Sequence, residues 1–142
     1  PYTRHLEKRH IFTSPWNERA FSVKAYTKAM SELYKTAEES GATPLYFQGF
    51  TVASSNSKMK TNAYVEVGRM AHTAPKQPFT QTALPRCESL GFRIEGHSIT
   101  ECMNEAFNHI EKSPGRYSIT EVWDSELPEN VYVVEVLREV DS

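Results

Sequence analysis

The chain repeats one order of predicted elements, β-α-β-β, on the two sides of a short segment that contains two prolines. Helix-forming residues with one apolar stripe run from about Asn17 to Ser40, and a second stripe of helical spacing follows the capping-box sequence Ser98–Glu101. The two halves meet near residue 75, within His72–Pro78. The repeated order predicts one domain made of two modules, about 1–72 and about 79–142.

Strand-forming segments surround each predicted helix. They are Leu6–Thr13, Leu45–Ser54 and Asn62–Ala71 in the first half, one or two strands between Phe79 and Glu95 with a break near Pro85, and the hairpin Ser118–Val140 with its turn at Glu126–Asn130. The pattern indicates an α+β fold, in which the sheets of the two modules lie side by side or face to face with a helix behind each. A cleft where two halves join is a usual place for a ligand.

The hairpin places acids among apolar residues. Because side chains alternate along a strand, Glu121 shares a face with Ile119 and Trp123, and Glu135 is flanked in the same way on the second strand. Glu66 shares a face with Tyr64 on an earlier strand. A carboxylate among apolar neighbours is costly without a hydrogen bond, a cation or a ligand. These three acids are therefore candidate site residues.

Composition and charge narrow the class of protein. The chain has 142 residues, 39% of them hydrophobic, which suits one globular domain. No apolar run has the length of a membrane span, and the first residues lack the apolar region of a signal peptide. Two cysteines, Cys87 and Cys102, are too few for a disulfide framework. We expect a cytoplasmic protein with reduced cysteines and no membrane partner.

Charge is uneven along the chain. Residues 1–60 carry nine Lys or Arg against five acids, whereas residues 99–142 carry three against ten. The acidic second part favours cationic partners and opposes nucleic acid.

Other chemistry finds little support in the sequence. The five histidines lack paired metal-ligand spacing, and neither a phosphate-binding glycine loop nor a nucleophile-elbow motif is present. Both predicted helices belong to the modules and neither is basic, so no helix-turn-helix is available. We therefore expect no metal, no cofactor, no DNA-binding domain and no direct contact with nucleic acid, and we assign no catalytic residue.

Three segments resemble the gyrase-inhibitor-like effector-binding superfamily. These segments are YVEVGRMA at Tyr64–Ala71, LPRCESLGFRIEGHS at Leu84–Ser98 and TEVWDSELP at Thr120–Pro128. The superfamily includes the C-terminal ligand-sensing domains of many AraC-type and MerR-type transcription regulators, as well as free-standing proteins. The resemblance implies two β-α-β-β modules related by a pseudo-twofold axis, with an antiparallel sheet and a ligand cleft between the modules.

The resemblance also implies a ligand class. Drug-binding members receive large, flat, cationic molecules in an aromatic pocket that holds a glutamate, and the pattern of an acid followed two places later by an aromatic residue falls on Glu121 and Trp123. We expect a free-standing protein that binds a lipophilic cation. The predicted ligand-binding residues are Glu121, Trp123, Tyr64, Phe50, Tyr46, Phe92 and Tyr132, with Glu66 and Glu135 as further acids.

Two other functions stay open at this stage. Some members of the superfamily hydrolyse cyclopropane-containing compounds, which would make Glu121 a general base toward a strained electrophile. The founding member inhibits gyrase, so a protein-binding inhibitor of a DNA-processing enzyme is the second alternative. An exposed strand edge would also allow a homodimer, and a separate regulator protein is a further candidate partner.

Overall fold

The protein is built on one antiparallel sheet of eight strands with two helices. The computed structural model describes residues 1–56 and 58–140. The elements are β1 Tyr2–Leu6, β2 Arg9–Pro15, α1 Val23–Glu39, β3 Thr43–Ser55, β4 Lys58–Arg69, β5 Thr80–Leu84, β6 Cys87–Gly96, α2 Ile99–Glu111, β7 Gly115–Val122 and β8 Tyr132–Glu139. No helix in the described ranges is long and apolar enough to cross a membrane.

The order of strands in the sheet makes the duplication visible. It reads β1-β6-β8-β7-β3-β4-β2-β5, so that exchanging the two halves of the chain leaves the order unchanged. The sheet curls into a half-barrel. The predicted α+β fold of two β-α-β-β modules is confirmed, and their sheets lie side by side as one sheet.

The first strand of each half is exchanged between the modules. β1 pairs with β6 of the second module, and β5 pairs with β2 of the first. Strand β1 was not predicted, because its residues YTRHL lack an apolar alternation. The one strand predicted from Leu6 to Thr13 combines the last residue of β1 with most of β2. The one or two strands predicted between Phe79 and Glu95, with a break near Pro85, are the two strands β5 and β6.

The helices begin where a serine caps them. Ser98 accepts a hydrogen bond from the Glu101 amide at 3.1 Å, as the capping-box spacing predicts. Helix α1 begins at Val23 and not at Asn17, because Ser22 caps it through the Ala25 amide at 3.2 Å. Thus the residues just before Ser22 form an irregular segment instead of helix.

Alternation divides each strand between two faces of the sheet. One face packs on both helices and forms the hydrophobic core, which includes Phe12, Phe50, Val65, Ile119 and Val136. The other face carries the intervening residues and lines the inside of the half-barrel. In the hairpin, Glu135 pairs with Thr120 and faces the inside of the half-barrel, whereas Glu121 pairs with the core residue Val134 and is on the helix face, near the end of β7.

The modules are joined by the pairing of β3 with β7, from Gly49–Thr120 to Ser54–Gly115. The backbones approach very closely at one end of this pairing. A Cβ atom added to Gly49 would lie 1.8 Å from the Ile119 carbonyl oxygen. The junction therefore requires glycine at this position because the neighbouring atom belongs to the backbone.

We predict that Gly49→Ala destabilises the fold by about 3 kcal/mol or more, since the β3–β7 backbones must separate to admit the methyl group. Gly68→Ala is the matched control. Its added Cβ would meet the side chain of Leu45 at 2.9 Å, and this half-exposed side chain can turn away. Urea unfolding should show a loss of about 1 kcal/mol or less for the control. Equal losses in the two variants would contradict the account of the junction.

Candidate ligand-binding cleft

The inside of the half-barrel is a cleft with two compartments. The aromatic compartment has a volume of about 330 Å³ and is lined by Phe47, Tyr64, Trp123 and the three acids Glu66, Glu121 and Glu135, among others. The basic compartment has a volume of about 240 Å³ and contains Arg9, Lys60 and Arg116. Leu6 and Arg9 line both compartments. Both modules contribute walls, so the cleft lies at their junction.

Glu135 is already neutralised within the fold. Its side chain is buried and accepts hydrogen bonds from the Tyr2 hydroxyl and the Arg4 guanidinium, both on β1. Burial, followed by the hydrogen bond to Glu135, raises the pKa of Tyr2, which keeps this phenol a donor. Arg4 supplies the cation that a buried carboxylate requires. Glu135 thus fastens β1 to β8 across the intervening strand β6.

Glu121 is held by neutral donors. The Tyr26 hydroxyl on α1 donates to its Oε2 at 2.7 Å, and the Gln48 side-chain amide donates to the same oxygen at 2.5 Å. Tyr34 in turn donates to Gln48 at 2.8 Å. Within the described part of the chain, Glu121 forms no ion pair and its Oε1 accepts no hydrogen bond. The carboxylate is oriented, but its charge is not compensated.

The donors around Glu121 stay protonated. Burial is the main cause that raises the pKa of Tyr26 far above its usual value, and the nearby charge of Glu121 adds to it. Burial and the same charge raise the pKa of Tyr34 to about 12. Both phenols therefore remain hydrogen-bond donors throughout the neutral range, which keeps Glu121 in place.

Glu66 is a half-buried acid of the same compartment. Burial raises the pKa of its carboxyl, and the charges of Arg9 and Arg4 partly oppose this effect. Neither arginine forms an ion pair with Glu66 among the described contacts. Its ionised form therefore carries a desolvation cost in the folded protein.

The other predicted site residues are divided among several environments. Tyr64 is buried in the wall of the aromatic compartment and shares a hydrogen bond with Thr120, and burial raises its pKa to about 12. Trp123 is 72% exposed and lies at the rim of that compartment. These two residues and the three acids are brought together by the fold.

Four predicted aromatic residues lie outside the aromatic compartment. Phe50 is buried in the core between Tyr26 and Phe107, and Phe92 packs on His109 of α2. Tyr46 is exposed and stacks on Tyr34 with ring centroids 5.5 Å apart. Tyr132 lines a separate groove with Trp123. Phe50 and Phe92 are on the helix side because strand alternation puts them there.

Sequence reasoning missed Phe47 and three arginines, Arg4, Arg9 and Arg93, of the aromatic compartment. Phe47 reaches the cleft because the β3–β4 register shifts between Pro44 and Gln48, where Tyr46 has a positive φ of 62°. Arg4 and Arg9 reach it through the exchanged strand β1 and the start of β2. One sequence signal for this β-bulge was Gly68 in β4, because a residue without a side chain leaves the space in which Leu45 packs.

We predict that Glu66→Gln stabilises the protein near pH 7. A carboxyl whose pKa is raised by folding costs stability as pH rises from its ordinary value of 4.5 through its raised value. At lower pH the wild-type side chain is neutral in both states, so the advantage of the variant should vanish near pH 4. Urea unfolding at the two pH values measures this difference.

The control for the pH test is Glu95→Gln, which removes one charge at an exposed position of β6. A Glu66→Gln variant that is less stable than wild type near pH 7 would contradict the statement that burial affects the pKa of Glu66 more than the neighbouring arginines do.

No protein-family model matches the chain, and no curated protein matches it. Among solved structures, the EcmrR C-terminal domain has a TM-score of 0.69 at 9% identity, covering 99% of this chain and 96% of that domain. A cryo-EM structure of an EcmrR–DNA complex gives a TM-score of 0.69 at 8% identity, covering 96% of this chain and 55% of the EcmrR chain.

A third structure is that of SAV2435 bound to tetraphenylphosphonium. It has a TM-score of 0.58 at 7% identity and covers 99% of this chain and 93% of that one. Similarity at these identities establishes the fold. The chain therefore shares its fold with the EcmrR C-terminal domain and with SAV2435.

Proposed function

We propose that the protein binds a lipophilic, cationic aromatic small molecule in the aromatic compartment, with Glu121 as the residue that matches its charge. One observation carries the proposal. Glu121 lines the compartment from the helix face of the sheet near the end of β7, its Oε2 accepts both hydrogen bonds from neutral donors, and its Oε1 has no described partner. A carboxylate that is oriented but not compensated is suited to receive a cation.

The neighbouring acids are less suited to this role. Glu135 is paired with Arg4, so a ligand cation would have to displace a guanidinium that already satisfies it. Glu66 faces the opposing charges of Arg9 and Arg4. Of the three acids, Glu121 is therefore the one at which a ligand cation competes least with the arginines of the protein.

Shape and apolar area supply most of the affinity. A flat aromatic ligand that buries about 200 Å² gains roughly 5 kcal/mol before ordering costs, at about 25 cal/mol per Å². Phe47 and Trp123 offer exposed aromatic faces, each worth about 0.5–2 kcal/mol to a cation. The carboxylate therefore acts mainly on charge selection, and the compartment should tolerate several ligand shapes.

The structural neighbours agree with this ligand class. SAV2435 carries tetraphenylphosphonium, a lipophilic cation, and EcmrR has the same fold in its C-terminal domain. As part of the proposal, the protein senses or sequesters its ligand in the cytoplasm, and a separate regulator or a second copy receives the signal.

We predict that Glu121→Gln lowers the affinity for tetraphenylphosphonium about tenfold, because the attraction between the Glu121 carboxylate and the positive charge of the ligand is lost. The neutral analogue triphenylphosphine oxide should bind both proteins equally. Isothermal titration calorimetry measures the four affinities. Glu126→Gln is the matched control, since Glu126 is an exposed acid of the same hairpin and does not line the compartment.

Equal affinities of wild type and Glu121→Gln for the cation would contradict the proposal. The same samples also test the hydrolase alternative, in which Glu121 activates water against a strained electrophile. Turnover of a cyclopropane-containing panel that depends on Glu121, without selective cation binding, would favour that alternative.

A further inference from the structure

The basic compartment of the cleft differs from the aromatic compartment in charge. All eight strands contribute to its wall, from Leu6 on β1 to Glu139 on β8. Its charged residues are Arg9, Lys60 and Arg116 against one acid, Glu139. A cleft with an excess of positive charge attracts anions, because its low-dielectric walls focus the field.

Arg9 carries a polar atom that the fold leaves unsatisfied. Its Nε is buried and has no hydrogen-bond partner among the described residues. An unpaired buried donor costs free energy, so it is expected to have a partner in the working protein. Arg9 lines both compartments, so its guanidinium charge acts on each of them.

Neutral donors surround the same space. Thr51, Asn62 and Ser118 line the basic compartment and supply hydroxyl or amide groups. Leu6 and Leu84, from the two exchanged strands, supply apolar area beside them. The combination suits an anionic group with several acceptor oxygens that is attached to an apolar body.

We infer that the basic compartment is an anion subsite that takes the carboxylate or phosphate group of an amphipathic small molecule. This inference goes beyond the proposed cation site and does not depend on Glu121. A molecule long enough to fill both compartments would carry its cationic end at Glu121 and its anionic end near Arg9. This last step, a zwitterionic ligand, rests on the proposed function, whereas the anion subsite does not.

The test uses two naphthalene compounds that differ in charge, 2-naphthyl phosphate and 2-naphthol. Isothermal titration with wild type should give at least about tenfold tighter binding of the phosphate, the effect of one or more charge-assisted hydrogen bonds. The double variant Lys60→Gln/Arg116→Gln should remove most of this difference. Both side chains are exposed, so the variant should fold, which its melting temperature checks.

A matched control removes the same charge elsewhere. Lys24→Gln/Lys28→Gln changes two exposed residues of α1, on the other side of the sheet, and should alter phosphate binding by less than about twofold. Glu126→Gln, which changes an exposed acid outside both compartments, should leave it unchanged. The naphthyl probes carry no cation, so the anion subsite and the proposed cation site can fail separately.

Three results would overturn the inference. One is equal binding of 2-naphthyl phosphate and 2-naphthol by wild type, and another is undiminished phosphate binding by Lys60→Gln/Arg116→Gln. Inorganic phosphate that binds as tightly as 2-naphthyl phosphate would overturn the part that assigns an apolar body to the ligand.

Discussion

The pairing of β3 with β7 is the interaction on which the rest of the structure depends. It turns two modules into one sheet, and its close approach at Gly49 leaves no space for a side chain. The curl of that sheet creates a cleft on the face that the helices do not cover. Since the cleft exists only where the modules meet, folding of each module alone would not form it.

The exchanged strands decide which acid of the cleft is available. β1 brings Arg4 and Tyr2 to Glu135 and so converts this carboxylate into a structural ion pair. Glu121, on the opposite face of the hairpin, is instead held from the helix side by Tyr26 and Gln48. The same sequence pattern, an acid among apolar strand residues, therefore has two physical outcomes, which depend on the partner that the topology supplies.

The element order and the faces of single strands followed from the sequence, because alternation and capping are local. The α+β fold, the capping of α2 by Ser98 and the break near Pro85 were predicted in this way. The walls of the cleft were not, because they depend on contacts between distant strands. Arg4 enters through the exchanged strand β1, Arg9 lies at the start of β2, and Phe47 enters through a β-bulge. Phe50 was predicted as a ligand-binding residue because it is an aromatic residue of a strand, but the alternation of side chains along β3 buries it under the helices.

The most direct test of the central claim is to locate a bound cation. Nuclear Overhauser effects between tetraphenylphosphonium and the protein would report which side chains surround it in solution. The account predicts contacts to Phe47, Tyr64 and Trp123, which line the aromatic compartment with Glu121. Because Glu121 and Trp123 also line the groove around Tyr132, contacts to that groove that leave out Phe47 would contradict it.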